Sequence, residues 1–135
     1  MSWSNEVSLK AQPHINGGRK PAIVVTTVGV LGKEFTLVKL VGDVGLELGP
    51  DLTERVTREI DRGATRIVFD LTGATFIDSA ALGTMVGAHR RLRERDGCLG
   101  VVCQDRMMRK LLSITGLDRE FAVHEDLASL LGVLE

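Results

Sequence analysis

The chain has no tyrosine and a single tryptophan, and aromatic residues make up only 4% of its 135 residues. A platform that stacks nucleic-acid bases needs several aromatic faces, so composition argues against that class. An excess of one charge is missing too: 17 Lys and Arg stand against 18 Asp and Glu, for a formal net charge of −1. No global field draws the chain to a polyanion or an anionic surface. Long apolar runs are absent. The longest weakly polar stretch, Ala22 to Leu31, is about half of what a membrane-spanning helix requires. Met1 to Pro13 lacks the apolar segment of a secretory signal. The expected location is therefore the cytoplasm, with no membrane and no direct nucleic-acid partner.

Cysteine is scarce. Cys98 and Cys103 flank Leu-Gly-Val-Val on a predicted strand. An odd separation puts them on opposite faces, which argues against a mutual disulfide and fits a reducing compartment. No His/Cys cluster has the spacing of a metal site. Gly42-Asp43-Val44-Gly45 lacks the lysine and the length of a phosphate-binding Walker loop. No Gly-x-Ser-x-Gly elbow occurs. The sequence assigns no metal, no cofactor and no catalytic residue, and the expected protein is not an enzyme.

What is present is an ordinary core: hydrophobic residues make up 44% and charged ones 26%, in a length that suits one domain. Residues 1–20 read as a flexible tail and 21–135 as the domain. Ala22 to Val28 and Phe35 to Val41 alternate as two strands around the Gly32-Lys33-Glu34 turn, which predicts a hairpin. Gly42 to Pro50 reads as a loop. Asp51 is placed to cap a helix that runs to Arg62, with Leu52, Val56 and Ile60 on one face. Thr65 to Leu71 reads as a strand covered on both faces. A helix over 80–95 shows Leu82, Met85, Val86, His89 and Leu92 on one side. Leu99 to Cys103, a helix over 105–115, a short strand at Phe121 to Val123 and a helix from Asp126 to Leu134 follow. The Met107-Met108 pair reads as core filler. The fold class is α/β: a mixed, mostly parallel sheet of about five strands with four helices, in the order β-β-α-β-α-β-α-β-α.

In such folds function gathers where strands hand over to helices. Ser79 stands on one such turn, in Phe76-Ile77-Asp78-Ser79-Ala80-Ala81-Leu82-Gly83. Asp43, Val44 and Gly45 stand on another. Two readings of Ser79 remain open. It could be the N-cap of the helix. It could also accept a phosphate, which would add about −1.5 to −2 charges beside Asp78. A nucleophilic serine would need a base, and His89 lies nearly three turns up the same predicted helix. The run His89 to Arg95 carries four arginines and reads as a solvated face near a helix C-terminus.

Arg66-Ile67-Val68-Phe69-Asp70-Leu71, the turn around Ser79 and Ile114-Thr115-Gly116-Leu117 together resemble a STAS domain, and more narrowly the bacterial anti-sigma factor antagonists. The likeness extends over about residues 35–130 and includes Leu40-Val41-Gly42-Asp43-Val44 and Pro50-Asp51-Leu52. The resemblance implies a partner switch. The unmodified antagonist would bind an anti-sigma factor that is also a serine kinase of the histidine-kinase-like ATPase fold, and so free a sigma factor. Phosphorylation of Ser79 would end that binding, and a PP2C-type phosphatase would reset it. The docking surface would comprise Asp43, Val44, Gly45, Asp78, Ser79, Ala80, Ala81, Leu82 and Thr84, on a monomer or weak dimer. Many members carry a second acidic residue where Gly45 stands, and Ser/Thr-Gly where Ala80-Ala81 stands. A STAS scaffold that is not regulated by phosphorylation is the alternative.

Overall fold

A computed structural model of the chain describes residues 22–44 and 48–134. The expected tail at 1–20 and Gly45 lie outside the described residues. Strands β1 (Ala22–Val30) and β2 (Lys33–Val44) form the expected antiparallel hairpin, with Ala22 opposite Val41 and Val30 opposite Lys33. Its turn places Leu31 and Gly32 at positive φ, the backbone twist that tight hairpins favour. Helix α1 (Gly49–Asp61), β3 (Arg66–Ile77), α2 (Ser79–Arg93), β4 (Cys98–Val102) and α3 (Arg106–Ile114) follow. The described chain ends with α4 (Leu117–Glu120), β5 (Ala122–His124) and α5 (Leu127–Leu134). The five strands lie in the order β1-β2-β3-β4-β5, and every pairing after the hairpin is parallel.

The chain's apolar periodicity explains the layers. Leu52, Val56 and Ile60 of α1 and Leu82, Met85 and Leu92 of α2 are buried on one face of the sheet, over Val38, Leu40, Ile67 and Phe69. Met108 and Leu112 of α3 join the same core. Each such side chain, fully buried, contributes about 1.5–3 kcal/mol relative to exposure. On the opposite face Phe35, Val68 and Val102 pack on Leu130 of α5. β3 is thus covered on both sides, as its unbroken apolar run predicted.

Several expectations need correction. The ends of the expected loop Gly42 to Pro50 belong to regular elements: β2 continues to Val44, and α1 begins at Gly49 with Leu48 at its N-cap position and no side-chain cap. Asp51 therefore lies inside the first turn and does not cap. Pro50, expected at the end of a loop, occupies that same first turn, where its missing N–H costs nothing. β3 runs six residues beyond the predicted Leu71, to Ile77. It does so by bulging twice against β2: Thr36 faces Ile67, Val41 faces Gly73, and Asp43 faces Phe76. At the first bulge Asp70 Oδ1 accepts from the backbone N–H and the hydroxyl of Thr72, at 2.9 and 2.7 Å. Thr65 precedes the strand and Cys103 follows β4. Helix α4 was not foreseen. It begins after Gly116, whose φ of 79° suits a residue without a Cβ.

Candidate functional site

Parallel pairing sets β2 and β3 side by side, so their carboxyl ends open on one surface. Asp43 lies opposite Phe76 and Val44 opposite Ile77, directly before the Asp78–Ser79 turn. The two turns that carried the sequence argument are therefore brought together. At this end Asp43, Ser79 and Ala80 are exposed, and Asp78 and Thr84 are half-buried. Val44, Ala81 and Leu82 point into the core, with exposures of 0%, 1% and 8%. They hold the turn in place from beneath.

The cap belongs to Asp78, not to Ser79. Asp78 has extended backbone, its Oδ1 accepts the Ala81 N–H at 3.0 Å, and its carbonyl accepts the Leu82 N–H at 3.1 Å. Ser79 is then the first residue of α2. Its hydroxyl makes no hydrogen bond among the described residues, and the N–H groups of Ser79 and Ala80 meet no acceptor there. Thr84 differs. Its hydroxyl donates to Ala80 O at 3.2 Å and lies 2.8 Å from Thr53 Oγ1 of α1. With its one proton so used, Thr84 accepts from Thr53. Two hydroxyls stand on this stretch of α2, and only that of Ser79 is unengaged.

His89 is 6% exposed, its ring meets the edge of Phe121 at 5.7 Å, and neither ring nitrogen has a hydrogen-bond partner among the described residues. Burial, with Arg93 and Arg90 adding to it against Glu120, lowers its pKa below 6.5. Burial thus disfavours the charged form of this core imidazole. His124 stands on β5, two strands away from β3. Cys98 and Cys103 are both free, and burial raises the pKa of each thiol. Among the described residues no His/Cys/Asp/Glu cluster is placed to hold a metal, and no helix is long and apolar enough to cross a membrane.

A groove of about 600 Å³ runs from Ala80 along the seam of α1 and α2, past Thr53, Gly83, Thr84 and Gly87. Its far end is closed by charge. Arg91 pairs with Asp61 at 2.8 Å, and the Arg95 guanidinium donates to the Ile60 carbonyl at the end of α1. Part of the arginine run therefore fastens two helices, while Arg90 and Arg93 face solvent.

The STAS domain family model matches residues 24–130, from within β1 through both turns to the middle of α5. The chain belongs to the STAS family. This STAS domain is 29% identical over 92 residues to the anti-sigma-B factor antagonist of Staphylococcus aureus, a match covering 68% of this chain and 85% of that one. Among solved structures it resembles an anti-sigma factor antagonist from Mycobacterium paratuberculosis, with a TM-score of 0.71 at 22% identity over 83% of this chain and 93% of that one. It also resembles the phosphorylated form of the Bacillus cell fate determinant SpoIIAA, with a TM-score of 0.62 at 19% identity over 81% and 98% of the two chains. Those two structural likenesses concern the fold.

Two features of the STAS surface escaped the sequence reading. Phe76, expected on the turn, lies instead on the extended end of β3 and is 51% exposed. The second bulge puts Thr75 and Phe76 both outward, which breaks the alternation. Met107, expected in the core, is 76% exposed, and only Met108 of the pair is buried. A helix turns by about 100° per residue, so adjacent methionines cannot share one face. The signal was available: Met107, Leu111 and Ile114 form one i, i+4, i+7 stripe and Met108 and Leu112 another.

Proposed function

We propose that this STAS domain is an anti-sigma factor antagonist: it binds an anti-sigma factor that is also a serine kinase, frees a sigma factor, and is switched off by phosphorylation of Ser79. The observation that carries the reading is the exposed Ser79 hydroxyl, without a hydrogen bond among the described residues, at the first position of α2 directly after Asp78 and on the same end of the sheet as Asp43. The kinship with anti-sigma factor antagonists points the same way. Ser79 is the phosphoacceptor and no group of this chain does catalysis. The kinase supplies ATP and transfers its terminal phosphoryl group to Ser79 Oγ, and the hydroxyl proton is lost to a base on the kinase side. A PP2C-type phosphatase restores the hydroxyl.

The local electrostatics favour a change in docking over a change in fold. A phosphate on Ser79 lies at the positive end of α2, near the two N–H groups that have no acceptor. That offsets part of its repulsion from Asp78 and Asp43, and no core side chain has to move. A kinase surface shaped for a neutral serine meets instead about two new negative charges. Asp43, Ser79, Ala80 and the half-buried Asp78 and Thr84 form the contact, and Val44, Ala81 and Leu82 support it from the core.

The test mixes the full chain with an anti-sigma kinase of the same genome and ATP, followed by mass spectrometry. A single phosphate on Ser79 is expected. Phosphate on Thr84, or none, overturns the switch. Binding that persists without any phosphate favours the scaffold reading.

A further inference from the structure

Beside the Ser79 turn lies a second concavity, about 550 Å³ in volume, between the end of β3 and helix α3. Phe76 forms one wall, and Met107, Leu111 and Ile114 of α3 form the other. All four are exposed, at 51%, 76%, 36% and 72%. An apolar stripe of this length on a small domain, contiguous through Phe76 with a candidate docking turn, marks an interaction surface. Arg106 and Lys110 rise from the same helix, both exposed and without an ion pair among the described residues. Arg109, between them, is engaged with Glu125 at 3.6 Å and with the Cys103 carbonyl at 3.2 Å. Asp105, exposed on the groove's lining, caps α3 by accepting the Met108 N–H at 3.0 Å and remains a single carboxylate against the two cations Arg106 and Lys110.

Charge selects the occupant. The chain's own first 21 residues carry Lys10, Arg19 and Lys20 against one carboxylate, Glu6, so they would bring cations to cations. A second copy of α3 would set Arg106 and Lys110 against the same pair. A helix with leucine-like residues along one face and Asp or Glu at its margins satisfies both the stripe and the cations. We propose that the groove between β3 and α3 is a second docking site, which takes an acidic amphipathic helix of the partner protein. The inference rests on the reading of this chain as a partner-binding antagonist, and adds a contact that does not depend on phosphate.

The test uses the full chain labelled with ¹⁵N and a synthetic amphipathic helical peptide, leucine on one face and glutamate at the margins. A sibling peptide with every glutamate replaced by lysine is the control. Amide shifts are expected at Phe76 and along 107–114, with the glutamate peptide binding at least tenfold more tightly. Met107→Asp should weaken it at least tenfold, and Lys110→Glu should invert the preference between peptides. Because Met107 is 76% exposed, the fold should tolerate its replacement. Ser79→Ala should leave peptide affinity within twofold, so failure of the phosphorylation switch and failure of the groove are read separately. Equal affinity for the two peptides, or shifts located elsewhere, overturns the proposal. So does a change in Trp3 fluorescence on Met107→Asp, which would assign the groove to the chain's own N-terminal residues. Self-association abolished by Met107→Asp would assign it to a second copy, with the same consequence.

Discussion

Asp78 Oδ1 accepts the Ala81 N–H at 3.0 Å, and this one bond separates two roles that the sequence had merged. Asp78 caps the helix, and the exposed Ser79 hydroxyl beside it makes no hydrogen bond among the described residues.

Stability should therefore respond to Asp78 and hardly to Ser79. Asp78→Ala is expected to cost about 1 kcal/mol, the usual loss of an N-cap, and Asp78→Asn much less. Ser79→Ala should stay within about 0.5 kcal/mol of the parent. Urea denaturation of the three variants measures this. A larger loss for Ser79→Ala than for Asp78→Ala would return the cap to Ser79.

Partner affinity should show the reverse order. If the proposed switch holds, Ser79→Glu places a charge inside the docking contact and should weaken binding by more than about 1 kcal/mol relative to Ser79→Ala. Calorimetric titration of both variants against the anti-sigma factor reads the difference. Equal affinities would remove charge repulsion as the basis of release.

His89 predicts an acid-sensitive fold. Its folded pKa is lowered, by burial first, below the unfolded value of about 6.5. Below that value the unfolded chain binds a proton that the folded chain resists, so this contribution is fully present above about pH 6.5 and declines as pH falls. Thermal unfolding at pH 7.5 and 5.5 should show a steeper loss for the parent than for His89→Leu. Parallel losses would mean that the ring is charged inside the fold.

Gly97 should tolerate no side chain. A Cβ there would lie 2.2 Å from the Thr65 carbonyl oxygen, which itself accepts the Cys98 N–H at 2.9 Å. Relief requires the backbone between α2 and β4 to shift, so Gly97→Ala should cost about 1–3 kcal/mol, as overpacking does. Gly83, with open space around it, is the control. Its replacement by Ala should be neutral or stabilising, because a helix interior favours Ala by about 1 kcal/mol. Chemical denaturation compares the two.

Element identity was legible because apolar residues repeat at the period of each element. Leu52, Val56 and Ile60 announced α1, and the runs Ile67 to Phe69 and Leu99 to Val102 announced strands between helices. From that order and the preference for right-handed crossovers, a mixed sheet with both turns at one end followed. The strand-to-helix turn singled out Ser79, and the STAS resemblance implied that it accepts a phosphate. Those are local properties: each depends on a few neighbouring residues, and the chain alone determines them. What only the tertiary structure decided depends on pairing across distance. The two bulges of β3 arise from its register with β2, and they turn Phe76 out to solvent. Which methionine of a pair is buried depends on how α3 lies on the sheet. Whether Asp78 or Ser79 caps depends on where β3 stops, a matter of one residue set by the ladder with Val44. Periodicity names the elements of this protein; long-range register places its exposed groups.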